Sequence, residues 1–146
     1  MRVAALLVIF LFSGCCTKKG CVADRLVWDF YFYSFEQEEV DTIWIYSYVK
    51  GSGFVSPKDS VSGSVHFSES AAPGYFSHEE GLAIDDDHLV LIPATSAQYR
   101  IENFWLKPVT CNTCFPYTPK DERVLVIGGY QVNGVPGDGP IIRIRR

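Results

Sequence analysis

Leu26-Val27-Trp28-Asp29-Phe30-Tyr31-Phe32-Tyr33-Ser34-Phe35 is the stretch that decides the fold. Its residues alternate in kind. Leu26, Trp28, Phe30 and Phe32 make one wholly apolar parity, and Val27, Asp29, Tyr31 and Tyr33 make an amphipathic one. Successive side chains leave opposite faces of a pleated strand, so a period of two marks a strand with one face on a core. Asp29 orients it, because a carboxylate is almost never fully buried without a partner. The apolar parity is therefore expected inward, with Tyr31 and Tyr33 following Asp29 outward.

The same period recurs along the chain. Residues 42–49 set Ile43, Ile45 and Val49 against Trp44, Tyr46 and Tyr48. Tyrosine carries a hydroxyl that needs a polar partner, so the isoleucines are expected inside. Paired with the first strand as an antiparallel hairpin across acidic residues 36–41, this strand brings Tyr31, Tyr33, Trp44, Tyr46 and Tyr48 onto one sheet face. Trp28, Phe30, Phe32, Ile43 and Ile45 then lie in the core.

Further strands are expected over residues 61–67, 88–92, 99–106, 124–132 and 141–145. Residues 68–81, with Pro73-Gly74, read as irregular. Gly128-Gly129 suggests a bulge or a close backbone approach, and Asn133-Gly134 a tight turn. No stretch of useful length favours the helical period. About seven short strands separated by Gly, Pro and Asp turns predict an all-β fold. The expected architecture is an antiparallel β-sandwich, immunoglobulin-like or transthyretin-like, over residues 26–146.

At 146 residues the chain suits one domain. It is 47% hydrophobic and 21% charged, which supports a packed core and excludes a disordered chain. A net charge of −4 argues against a nucleic-acid partner.

The N-terminus reads as an export signal. Arg2 is basic, residues 3–12 are an unbroken apolar run, and Ser13-Gly14 are small. Ten apolar residues span about 15 Å as a helix, half a bilayer core, which is too short for a permanent anchor. Leu11-Phe12-Ser13-Gly14-Cys15 resembles the lipobox of bacterial lipoproteins, with Phe12 where that family usually has Leu. The resemblance implies cleavage before Cys15 and acylation of Cys15, with two or three chains anchoring the protein in a lipid bilayer. The expected organisation is a signal peptide at 1–14, a tether at 15–25 and the sandwich at 26–146. Ile92-Pro93, Tyr99-Arg100-Ile101, Cys111-x-x-Cys114 and Gly129-Tyr130-Gln131-Val132-Asn133-Gly134 together resemble small periplasmic lipoproteins of Bacteroidota. That resemblance implies a sandwich in the cell envelope and assigns no functional residues. In such bacteria an acidic run after the lipidated cysteine tends to mark surface export. Thr17-Lys18-Lys19 lacks one, so the expected orientation is towards the periplasm.

Several groups carry candidate chemistry. With Cys15 lipidated, four cysteines remain in an oxidising compartment. Cys111 and Cys114 form a C-x-x-C in a loop flanked by Pro108 and Pro116. A redox site would place such a pair at a helix N-terminus, and zinc would need two further ligands. The expected role is structural, as a disulfide within the loop or to Cys21, or as plain thiols. His66, His78 and His88 lie among serines and acids, but no G-x-S-x-G elbow supports a hydrolase. Asp85-Asp86-Asp87 lacks the spacing of a calcium loop and reads as a solvated turn. The tyrosine and tryptophan set is a candidate platform for sugar rings or a partner's apolar surface. Arg143, Arg145 and Arg146 read as a solvated face that blunts an edge strand, with lipid phosphates as an alternative contact. The expectation is a non-catalytic binding or assembly module for an envelope protein, needing neither metal nor cofactor. The alternatives are a glycan-binding or small-ligand-binding module using the aromatic face, and a redox or hydrolytic enzyme.

Overall fold

The two-residue period becomes ten strands in a computed structural model that describes residues 23, 25–68, 71–110 and 123–146. The chain divides into two compact units. The larger is Asp24–Lys107 with Val126–Arg146. Of the smaller, Met1–Ala23 with Pro108–Leu125, the described residues are Ala23 and the ends of two long strands. The strands are β1 (Leu26–Tyr33), β2 (Ile43–Val49), β3 (Asp59–Gly63), β4 (His66–Ser68), β5 (Ala71–Ala83), β6 (Asp86–Ile92), β7 (Ala97–Thr110), β8 (Arg123–Val132), β9 (Val135–Asp138) and β10 (Ile142–Arg145). They form a four-stranded sheet in the order β10-β1-β5-β4 and a six-stranded sheet in the order β3-β2-β6-β7-β8-β9. The two pack face to face as an all-β, largely antiparallel sandwich.

The core is the set of inward parities. Phe30 and Phe32 of β1, Ile43 and Ile45 of β2, Val90 and Ile92 of β6, Ile101 of β7 and Ile142 and Ile144 of β10 are all fully buried. Each such side chain contributes about 1.5–3 kcal/mol by leaving water. The expected inward places of Phe30, Phe32, Ile43 and Ile45 are therefore found.

The expected β1–β2 hairpin is not. β1 pairs antiparallel with β5 and parallel with β10, whereas β2 pairs antiparallel with β3 and β6 in the other sheet. The cause lies in the link between them. Phe35 and Val40 are buried on either side of a 3-10 turn, Gln37–Glu39. The Phe35 ring meets Phe32 at 6.0 Å and Tyr99 of β7 at 6.1 Å, so it touches both sheets. A link that buries two apolar side chains crosses the end of the sandwich instead of turning back beside β1.

Three further readings change. A register shift between Val27 and Asp29 is a bulge that reverses the parity of the strand's start. Val27 is buried, and Trp28, expected inside, is only half-buried. Val49, also expected inside, is exposed because it pairs with Asp86 where β6 begins, beyond the apolar core. Residues 68–81 are not irregular, since most of them belong to β5. Pro73 lacks a backbone donor, but it falls where the β4–β5 register shifts, so the ladder is already interrupted there.

Candidate functional site

The outer face of the four-stranded sheet carries one row of side chains across all its strands. Tyr31 of β1 lies opposite Arg143 of β10 and Tyr75 of β5, and Tyr75 lies opposite His66 of β4. The Tyr31 and Tyr75 rings are 5.3 Å apart. The neighbouring row pairs Tyr33 with Arg145, whose guanidinium sits 5.1 Å over the Tyr33 ring in a cation–π contact. On the other side, Asp29 accepts from the Tyr75 hydroxyl at 2.8 Å and from Ser77 Oγ at 3.0 Å. Among the influences on the Tyr75 phenol, the Ser77 bond lowers its pKa. The bond to Asp29, burial and the charge of Asp29 outweigh it, and the pKa is raised from 10.0. The Asp29 bond and the Tyr31 ring contact restrain the Tyr75 ring on this outer face.

At the β9–β10 side the sandwich opens into a cleft of about 370 Å³. Tyr99 and Val132 form its wall, Val135 and Pro136 reach over from the β8–β9 hairpin, and Arg143 and Arg145 stand at its rim. The hairpin turns at Asn133 and Gly134, with φ of +49° and +81°, as the Asn-Gly pair predicts for a two-residue turn. Asn133 ties this turn to β7, where Asn133 Oδ1 accepts from Arg100 N at 2.8 Å. At the floor, the Tyr130 hydroxyl donates to Ile141 O and accepts from Arg143 N, both at 2.8 Å. This residue of β8 thus holds β10 from across the sandwich. Burial raises the phenol pKa of Tyr130, against the lowering effect of Arg143. Burial likewise raises that of Tyr99.

A third cluster is internal. His88 is fully buried, with Nδ1 3.0 Å from Ser47 Oγ and Nε2 3.0 Å from Ala83 O. A carbonyl only accepts, so Nε2 carries the proton and Nδ1 accepts from the Ser47 hydroxyl. Burial lowers the imidazole pKa from 6.5, although the Ala83 bond and the charges of Asp86 and Asp87 pull the other way. Asp86 is held by Lys58 at 2.6 Å and Asp87 accepts from Gly51 N at 2.7 Å. The solvated-turn reading of these acids is therefore corrected: Asp86 and Asp87 are buried in β6, each with a partner. Ser47 and His88 resemble a nucleophile and its base in separation. Both are buried, however, so no substrate atom can reach the hydroxyl in this arrangement.

The five aromatics expected on one face are divided. Tyr31 and Tyr33 belong to the row described above. Trp44 and Tyr46 stack at 6.2 Å on the outer face of the other sheet, and Tyr48 is buried against Phe54. Arg143 and Arg145 do lie exposed on an edge strand. Sequence reasoning missed Tyr75, although Tyr75 and Ser77 share one polar parity that could have shown it. It also missed the part played by Tyr99 and Tyr130, which only the cleft brings together. Cys15, Cys111 and Cys114, the signal peptide at 1–14 and most of the tether at 15–25 lie outside the described residues. Among the described residues no three His, Cys, Asp or Glu side chains gather as metal ligands would. Comparison with family models, with curated proteins and with solved structures found no match.

Proposed function

We propose that the chain is a lipid-anchored lipoprotein of the bacterial cell envelope, acylated at Cys15 and facing the periplasm, whose sandwich is a non-catalytic binding module. The observation that carries the binding reading is the row Arg143, Tyr31, Tyr75 and His66, with Tyr33 and Arg145 beside it. Tyrosine and arginine are enriched among the residues that dominate recognition surfaces, and tyrosine offers large contact area with a polar tip while losing little freedom on binding. Here hydrogen bonds and ring contacts already restrain them, which lowers the ordering cost of association. An envelope protein is the partner this surface suits first. The row of tyrosine rings also suits a glycan, whose sugar faces stack on aromatics.

Two measurements test the reading. A fatty-acid probe fed to cells should label the wild-type chain and not Cys15→Ala, and label persisting in that variant refutes the anchor. The lipidated chain should capture its envelope partner or glycan from detergent extract. Tyr31→Ala and Tyr75→Ala should each weaken capture about ten-fold or more, with melting temperature as the folding control. Retained binding in both tyrosine variants, with loss in Trp44→Ala, moves the site to the other sheet and refutes this surface.

A further inference from the structure

The cleft between β9 and β10 goes beyond that surface: it shares Arg143 and Arg145 with it, while the rest of its lining comes from β7, β8, β9 and the turn between the last two. Its volume of about 370 Å³ falls at the small end of small-molecule sites, which run from about 300 to 1,000 Å³. The walls are apolar and flat, from Tyr99, Val132, Val135 and Pro136. The rim is cationic. Arg143 Nη1 donates to Asp138 O at 3.0 Å, and Arg145 lies over Tyr33. Both partners are uncharged groups. The ion pairs among the described residues use Arg25, Lys58 and Arg146 instead. Among the described residues, neither guanidinium at the cleft mouth is in an ion pair, and the one carboxylate charge felt at the floor, that of Asp138 on Tyr130, is outnumbered by the two arginines.

We infer that this cleft binds a small organic acid, with its flat apolar body against Tyr99, Val132 and Pro136 and its oxyanion on Arg143 and Arg145. The chemistry follows from the side chains. A guanidinium presents a planar fork of donors that matches the oxygens of a carboxylate, phosphate or sulfonate. Tyr33 and Asp138 O orient the two forks before the ligand arrives. Tyr130 fixes the height of β10, through Ile141 O and Arg143 N, and hence the spacing of the arginines above the cleft floor.

The test uses the full chain and two fluorescent probes that share one aromatic body, anilinonaphthalene sulfonate and the neutral phenylnaphthylamine. Wild type should bind the sulfonate at least about ten-fold tighter than the neutral probe, with amide shifts at Tyr99, Gly137 and Arg143 on titration. The double variant Arg143→Gln/Arg145→Gln should bring the two affinities together, and Val135→Ser should weaken both probes. Should the double variant fail to fold, the wild-type salt dependence decides. Added salt must weaken the sulfonate and leave the neutral probe unchanged. Equal affinities in wild type, or a preference that survives loss of both arginines or is insensitive to salt, overturns the inference. Because the Tyr31→Ala and Tyr75→Ala variants leave the cleft lining intact, failure of the sheet-face proposal and failure of this one are read separately.

Discussion

His88 and Tyr130 do their work as single polar groups in apolar surroundings. The folded chain keeps His88 neutral because burial lowers its pKa from 6.5, while the unfolded chain returns it to that ordinary value. The contribution is complete above about pH 6.5. As pH falls below it, the unfolded state takes up a proton that the folded state refuses, so stability is lost until the folded pKa is reached. Urea unfolding at about pH 7.5 and about pH 5.5 should show a fall for wild type and a smaller one for His88→Gln. Equal falls would show that another group carries the dependence. Tyr130→Phe keeps the ring and removes the hydroxyl that serves Ile141 O and Arg143 N. Two groups lose their partner, so a loss of about 1–3 kcal/mol is expected from the urea midpoint with an unchanged slope. Gly128 acts by having no side chain. A Cβ there would lie 2.6 Å from Trp105 Cδ1, which is the close approach that the Gly128-Gly129 pair suggests.

At the scale of elements, the sandwich depends on the link that carries the chain from β1 to β2 in the opposite sheet. Phe35 and Val40 anchor that crossing from within, and the Arg146–Glu39 ion pair at 2.8 Å ties the end of the chain to it. The two faces of the strands then differ sharply in energetic weight. Phe32 of β1 is fully buried against Phe35, whereas Trp44 of β2 is 37% exposed and stacks on Tyr46. Phe32→Ala should cost about 3–5 kcal/mol. Trp44→Ala should cost about 1 kcal/mol or less, the worth of one aromatic contact on a sheet's outer face. Thermal unfolding of the two variants checks the contrast, and comparable losses would place Trp44 in the core.

At the scale of the whole molecule, β10 and β9 are edge strands of their sheets among the described residues, and local chemistry protects both. β10 carries Arg143 and Arg145, and β9 carries Pro136, so neither edge offers a flat apolar strand to another chain. The anchor and the C-x-x-C concern residues outside those described. Cys111→Ser/Cys114→Ser should leave the fold intact, with the melting temperature unchanged or lowered. Thiol–disulfide exchange activity in the purified protein, or one zinc bound per chain, would contradict the structural role expected for this pair.

The sequence by itself determined what depends on neighbours along the chain. The period of two specified strands, the apolar parity specified the inward places of Phe30 and Phe32 in β1, Ile43 and Ile45 in β2 and the isoleucines of β10, and Asn133-Gly134 specified a tight hairpin. The physical reason is that pleating and turn geometry are set by residues a few positions apart. Only the tertiary structure decided which strands pair. The parallel partnership of β1 with β10 joins opposite ends of the chain, and pairing at that distance reflects the packing of all strands together. The bulge at Val27–Asp29 and the recruitment of residues 71–83 into β5 have the same origin, since each is a compromise between a strand and its particular neighbours. The candidate site was legible only in part for that reason. Tyr31 and Tyr33 could be placed on an outer face from alternation alone, but Tyr75, His66 and the arginines join them only because β1, the neighbouring pair β4 and β5, and β10, three regions far apart in sequence, lie side by side.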